Sequence, residues 1–176
     1  MTVVARPAVP RVTIPDMPNS PGTIDFDAEC RWLQPLLRGR IPLAERMALE
    51  VGSLNEQSIR LDFPLAPSVN DKGTAFGGAL ASAMILAGWS LPRLLLQRRK
   101  ITAELVIGRC ELRFLQPVHG AYSAVCDWPD GERQEQFLEG IIERGKGRLD
   151  LEARIVYGSE LAATLQARYA ALVAEP

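Results

Sequence analysis

A chain of 176 residues is long enough for one domain with a sizeable core, and 47% hydrophobic against 23% charged residues is the balance of an ordinary globular protein. The 20 basic and 21 acidic residues leave a net charge of −1, so no global field draws the chain to nucleic acid or to an anionic membrane surface. Cys30, Cys110 and Cys126 stand in no metal-ligand or redox spacing, which predicts no metal site, no disulfide framework and a reducing, cytoplasmic setting.

Residues 1–24 carry prolines at 7, 10, 15, 18 and 21 and few large side chains, and they read as an extended or disordered arm. No apolar segment of a secretory signal is present there. Residues 25–176 then read as one domain. Asp25 or Asp27 can cap a helix through Ala28–Leu33, with Leu36 and Leu37 extending its apolar face. Pro35 is expected to limit or kink it, and Gly39 to stop it. Ile41-Pro42-Leu43 begins a second short helix towards Met47.

The period then changes to two. Leu49, Val51 and Ser53 alternate with Glu50 and Gly52; after Asn55-Glu56, Ile59, Leu61 and Phe63 alternate with Ser58, Arg60 and Asp62. That pattern predicts a β-hairpin with one face in the core, closed by Pro64 and Pro67.

The next stretch is the most informative. Asn70-Asp71-Lys72-Gly73-Thr74-Ala75-Phe76-Gly77-Gly78 runs into Ala79–Trp89, and no charged side chain occurs from Gly73 to Pro92. A helix of that composition is buried nearly all round, and it is expected to bend or end near Pro92. The window is also about long enough to span a bilayer, but its Gly, Ala and Ser content and its setting among amphipathic strands favour a core helix. Glycines permit close approach of backbone to a ligand, and a helix start offers unpaired N–H groups that stabilise an anion or a developing oxyanion. Arg98-Arg99-Lys100 suit the far end of the helix dipole, as a solvated end or as partners for phosphate.

A strand is expected over Ala103–Leu115, with Arg109, Glu111 and Arg113 on one face and Gly108, Cys110, Leu112 and Phe114 on the other. Pro117-Val118-His119-Gly120 reads as the turn of a hairpin whose return strand holds Tyr122, Ala124, Cys126 and Trp128. Glu132–Arg144 fits an amphipathic helix with Phe137, Leu138, Ile141 and Ile142 apolar. Two strands follow, one with Leu149, Leu151, Ala153, Ile155 and Tyr157 inside, the last with Leu161, Ala163, Leu165, Ala167 and Tyr169. A one-faced sheet must cover its apolar side, and the uncharged helix is the obvious filler, so the expected fold is α+β, a curved antiparallel sheet around one helix.

That order, together with Asn70-Asp71-Lys72-Gly73-Thr74-Ala75-Phe76-Gly77-Gly78, Leu86-Ala87-Gly88-Trp89 and Cys110–Val118, resembles the hot-dog fold of the thioesterase and dehydratase superfamily. More narrowly it is similar to the thioesterase domain found alone or behind an acetyltransferase domain in bacteria, over about residues 28–173. The resemblance implies an acyl thioester substrate on coenzyme A or acyl carrier protein, in fatty acid metabolism. No separate cofactor is implied, since coenzyme A or phosphopantetheine arrives as part of the substrate. It also implies a homodimer or a dimer of dimers, with sites at the dimer interface beside the start of the central helix.

Carried over, the Gly77 and Gly78 amides would polarise the thioester carbonyl, Asn70 would orient water or substrate, and Thr74 and Phe76 would contact the substrate. Many relatives have His before the glycine pair, where this chain has Phe76, and many have an acid inside the helix, where residues 79–92 have none. Asp71 is the nearest carboxylate and the candidate general base, with Glu111 next if its face turns inward.

Plainer roles stand beside these. Asn70 can hold the loop by its own backbone bonds, Gly77 and Gly78 can serve close packing, Asp71 can be a solvated loop acid, His119 a turn residue and Trp89 core. The leading expectation is a thioesterase. The alternatives are a non-catalytic acyl-thioester binding module serving an acyltransferase or lipid pathway, and a purely structural oligomerisation domain.

Overall fold

The computed structural model describes residues 24–173; the expected arm over residues 1–24 lies almost entirely outside them. Helix α1 spans Phe26–Arg40, and Asp25 caps it by accepting a 2.9 Å hydrogen bond from the Ala28 N–H. Neither expected stop operates. Pro35 and Gly39 both lie within the helix, which ends at Ile41, whose N–H returns to the Leu37 carbonyl. Trp32, Leu33, Leu36 and Leu37 are buried, and that burial outweighs the local cost of a proline whose ring stays exposed. Pro42 opens the short helix α2, Pro42–Arg46.

Strands β1 (Glu50–Leu54) and β2 (Ser58–Phe63) form the predicted hairpin, and Gln34 on α1 accepts the Val51 N–H at 2.9 Å beside the outer edge of β1. Helix α3, Gly77–Arg98, is the long apolar helix, with Leu80, Ala83, Met84, Ala87, Leu91 and Leu94 among its buried residues. It is long and apolar enough to cross a bilayer, but 72% of that window is buried inside the protein, so it serves as the core helix. It runs through buried Pro92 for a further turn and a half, because Leu94, Leu95 and Leu96 are anchored in the core. Close helix–sheet packing is set at Gly88: a Cβ there would lie 2.4 Å from the hydroxyl oxygen of Tyr169, which itself donates to the Ile85 carbonyl at 2.9 Å.

Strands β3 (Glu104–Phe114), β4 (Tyr122–Asp127), β5 (Lys146–Tyr157) and β6 (Glu160–Leu172) complete a six-stranded sheet in the order β1-β2-β4-β5-β6-β3. Every pairing is antiparallel. The expected β3–β4 hairpin is not formed. β4 pairs with β2 and β5, and β3 pairs with β6 at the far edge, so the segment 115–121 is a crossover. Alternation had assigned the faces of these strands; it carries no information about which strand lies beside which.

Helix α4, Gly131–Arg144, sits between β4 and β5 with Phe137, Leu138 and Ile141 buried, while Ile142, expected on the apolar face, is 70% exposed. Gly145 ends α4 at φ +67°, a left-handed cap that glycine adopts without strain. On β6 a register shift opposite Ile155 and Val156 turns Leu161 outward and Ala162 inward. The result is the expected α+β arrangement, one antiparallel sheet wrapped round α3.

Candidate active site

The loop before α3 is a small hydrogen-bonded frame. Gly73, at φ +76°, donates to the Asn70 carbonyl at 3.2 Å, and the Asn70 N–H donates to the Thr74 carbonyl at 2.8 Å. The Asn70 side chain completes it: Oδ1 accepts from the Lys72 N–H at 2.8 Å and the Thr74 N–H at 3.1 Å, and Nδ2 donates to Thr74 Oγ1 at 2.9 Å. Asn70 is thus the organiser of its own loop, the plainer of the two roles open to it, with one Nδ2 hydrogen left over.

Two further bonds tie this frame to the fold. The Phe76 N–H donates to the Ser68 carbonyl at 2.7 Å, and the Ala75 N–H donates to the Val118 carbonyl at 2.8 Å. The β3–β4 crossover therefore braces the entry of α3, with Val118 buried and the neighbouring His119 exposed.

At the helix start Phe76 is the N-cap in extended conformation, with no side-chain cap. The Ala79 and Leu80 N–H groups both return to the Phe76 carbonyl, at 2.9 and 3.1 Å. Gly77 and Gly78 have no intrahelical acceptor, so their amides are the free positive end of a 22-residue helix. Two rings frame them. A Cβ at Gly78 would lie 2.4 Å from Phe76 Cε1, and a Cβ at Gly77 would lie 3.5 Å from Phe114 Cζ. Alternation puts Phe114 on the apolar face of its strand, but its approach to Gly77 depends on β3 running at the sheet edge beside α3.

Charged groups are few at this end. Asp71 is 79% exposed at its side chain and paired with Lys72 Nζ at 2.9 Å. Glu111 faces outward, opposite Gln166, and contacts Arg113 at 3.4 Å, so the inward orientation it would need is absent. At the other end of α3, two residues of the basic cluster are paired. Arg98 forms two 2.7 Å hydrogen bonds to buried Glu29, with its guanidinium carbon 4.6 Å from the Trp128 ring centroid, and Arg99 pairs with Glu135. Trp89 is half-buried and donates to the Leu105 carbonyl at 3.3 Å.

A hollow of about 500 Å³ lies elsewhere, on the outer face of β1, β2 and β4. Asp62 in it accepts from Ser123 Oγ at 2.6 Å and pairs with Arg60 at 2.9 Å. The chemistry that can hold a developing negative charge sits at the α3 entry, where backbone donors, uncharged surroundings and aromatic rings come together.

Comparison with known proteins identifies the family and the fold. The family model described as "Putative thioesterase (yiiD_Cterm)" matches residues 30–173. A solved structure of a protein of unknown function from Chlorobaculum tepidum is 29% identical, with a TM-score of 0.80, covering 84% of this chain and 96% of that one. A "putative thioesterase" from Shewanella oneidensis is 26% identical, with a TM-score of 0.74 and coverage of 83% and 99%. A "Probable Thioesterase" from Pseudomonas aeruginosa is 25% identical, with a TM-score of 0.65 and coverage of 78% and 91%. No curated protein matches the chain.

Proposed function

The chain belongs to this thioesterase family and has its hot-dog fold, and from that premise we propose that it hydrolyses an acyl thioester, carried on coenzyme A or acyl carrier protein, at the entry of α3. The observation that supports this most is the pair of glycine amides, Gly77 and Gly78, at the uncapped start of a long buried helix. Water adds to the thioester carbonyl, and its oxygen takes up negative charge against these two N–H groups. The tetrahedral adduct then expels the thiolate as the C–S bond breaks. The proton lost by the water goes to the base and from there to the thiolate, giving a carboxylic acid and a free thiol.

Asn70 holds the loop that fixes this geometry, and its remaining Nδ2 hydrogen can orient the water or the carbonyl. Asp71 is the base in this reading, and Thr74 and Phe76 contact the substrate. Thiol release from acetyl-, octanoyl- and palmitoyl-CoA, with Asp71→Asn as the control, tests the assignment. Turnover reduced at least about tenfold in Asp71→Asn is expected of a general base. Absence of turnover with every acyl-CoA and with acyl carrier protein would overturn hydrolysis and leave a thioester-binding module.

A homodimer belongs to the same proposal. β3 is eleven residues long, pairs on one side only, and leaves Val106 43% and Ile107 37% exposed along it. A long, partly apolar edge strand is a template for a second strand, and a second copy of β3 would satisfy its free backbone groups. Sedimentation as a monomer at micromolar concentration would count against this assembly. Scattered cysteines and the absence of a charge field suit a cytoplasmic setting.

A further inference from the structure

We infer that Phe114, together with Phe76, is a specificity-determining residue: the two rings form an apolar wall that seats the hydrocarbon chain of a neutral acyl group against the Gly77–Gly78 amides. This rests on the thioester reading above.

Phe76 is 59% and Phe114 54% exposed, whereas Phe63, Phe137, Tyr122 and Tyr169 are all buried. Among the described residues neither exposed ring joins a stacked pair or lies under a cation. Both nonetheless have fixed positions. Phe114 ends β3 on its inward face, opposite buried Ala163, which brings the ring to 3.5 Å from where a Cβ of Gly77 would be. Phe76 lies over Gly78 so closely that any side chain there would displace it. Val69, bridged to Ala75, and Leu115 are further apolar residues about half exposed in the flanking segments.

The two features together define the ligand. Helix-end amides favour an oxygen that gains negative charge, while aromatic rings beside them favour methylenes and exclude water. A carbonyl with an apolar tail satisfies both. An acyl group ending in a carboxylate would place a charge against the rings and lose its hydration there. The substrate class is therefore neutral acyl thioesters longer than acetyl.

The test compares kcat/KM for acetyl-, octanoyl- and succinyl-CoA in the wild type and in Phe114→Ala. Octanoyl-CoA is expected to lead in the wild type. In Phe114→Ala the octanoyl-to-acetyl ratio should fall about tenfold, as loss of contact with one or two methylenes implies. Phe114→Leu, which keeps the apolar contact and guards against a folding defect, should retain most of the preference. A wild-type preference for succinyl-CoA, an unchanged ratio or an equal fall for acetyl and octanoyl would overturn the assignment. So would a change in sedimentation alone, which would mean that a second copy covers the rings.

Failure of the hydrolase reading is distinguishable. If the wild type turns over none of these thioesters, calorimetry with the non-hydrolysable octanoyl-CoA thioether replaces the rate. Affinity that drops in Phe114→Ala while coenzyme A alone binds equally to both proteins would uphold the wall without the enzyme. Equal affinity for the thioether would refute it.

Discussion

Asn70 and Thr74 are joined by three hydrogen bonds: main chain to main chain at 2.8 Å, Thr74 N–H to Asn70 Oδ1 at 3.1 Å, and Asn70 Nδ2 to Thr74 Oγ1 at 2.9 Å. A loop with three glycines within six residues would otherwise sample many conformations. This pair selects one of them, and so fixes where α3 begins.

Asn70→Ala removes the acceptor of the Lys72 and Thr74 amides as well as the bond to Thr74 Oγ1. It should cost about 1–3 kcal/mol of stability, and thioester turnover should fall more than the melting temperature alone would explain. Thr74→Val removes only the hydroxyl contact and should cost about 1 kcal/mol. Urea unfolding read beside thiol release separates the two; full turnover in Asn70→Ala would place the chemistry away from this loop.

The two glycines of the helix start should respond differently. A methyl group at Gly77 meets Phe114 at an ordinary 3.5 Å, so Gly77→Ala should leave stability within about 1 kcal/mol of the wild type. At Gly78 the methyl would lie 2.4 Å from the Phe76 ring, which must swing away. Gly78→Ala should therefore lower octanoyl-CoA turnover with little loss of stability, because the displaced ring is exposed. Identical behaviour of the two variants in activity and melting would contradict this account.

Glu29 and Arg98 tie α1 to the far end of α3 in a bridge whose side chains are 4% and 20% exposed. Removing one partner strands the other charge in a poorly hydrated place. Arg98→Met should destabilise the fold by about 3 kcal/mol, more than loss of the exposed Arg113–Glu111 pair, which is worth under about 1 kcal/mol. Denaturant midpoints of Arg98→Met and Arg113→Met provide the comparison.

On the outer face, a hydrogen bond from Arg168 holds the Asp150 carboxyl below its ordinary range, against a smaller opposing effect of partial burial, with Arg168, Arg133 and Arg109 adding attraction. A carboxyl lowered in the folded state contributes stability that is fully present above its unfolded pKa of about 4 and is lost as pH falls through the folded value. Both side chains are about half exposed, so the contribution is small and weakened by salt. Melting of the wild type and Asp150→Asn should differ at pH 7 and converge below about pH 4. A gap that widens in acid would reverse the sign argued here.

Much of the fold was legible because it is written in local patterns. The uncharged run after Gly73, the strict alternation of Leu149–Tyr157, the Asp25 cap and the two-residue period of the β1–β2 hairpin each reflect chemistry within a few neighbours. The helix entry could be singled out on the same grounds, since clustered glycines before an apolar helix are a local feature. The helices continue through Pro35 and Pro92 because a proline's local cost is a few kcal/mol, and a helix whose apolar face is already buried can absorb it.

The α+β class, the core helix and its glycine-rich entry follow from the chain's local chemistry, because composition and periodicity act over one or two turns of chain. That β3 lies beside β6 instead of β4, that Glu111 points outward and that Phe114 reaches Gly77 emerge only in the folded chain. These depend on strand order and register. They are settled by how the whole sheet closes around α3, and no stretch of the chain encodes them alone.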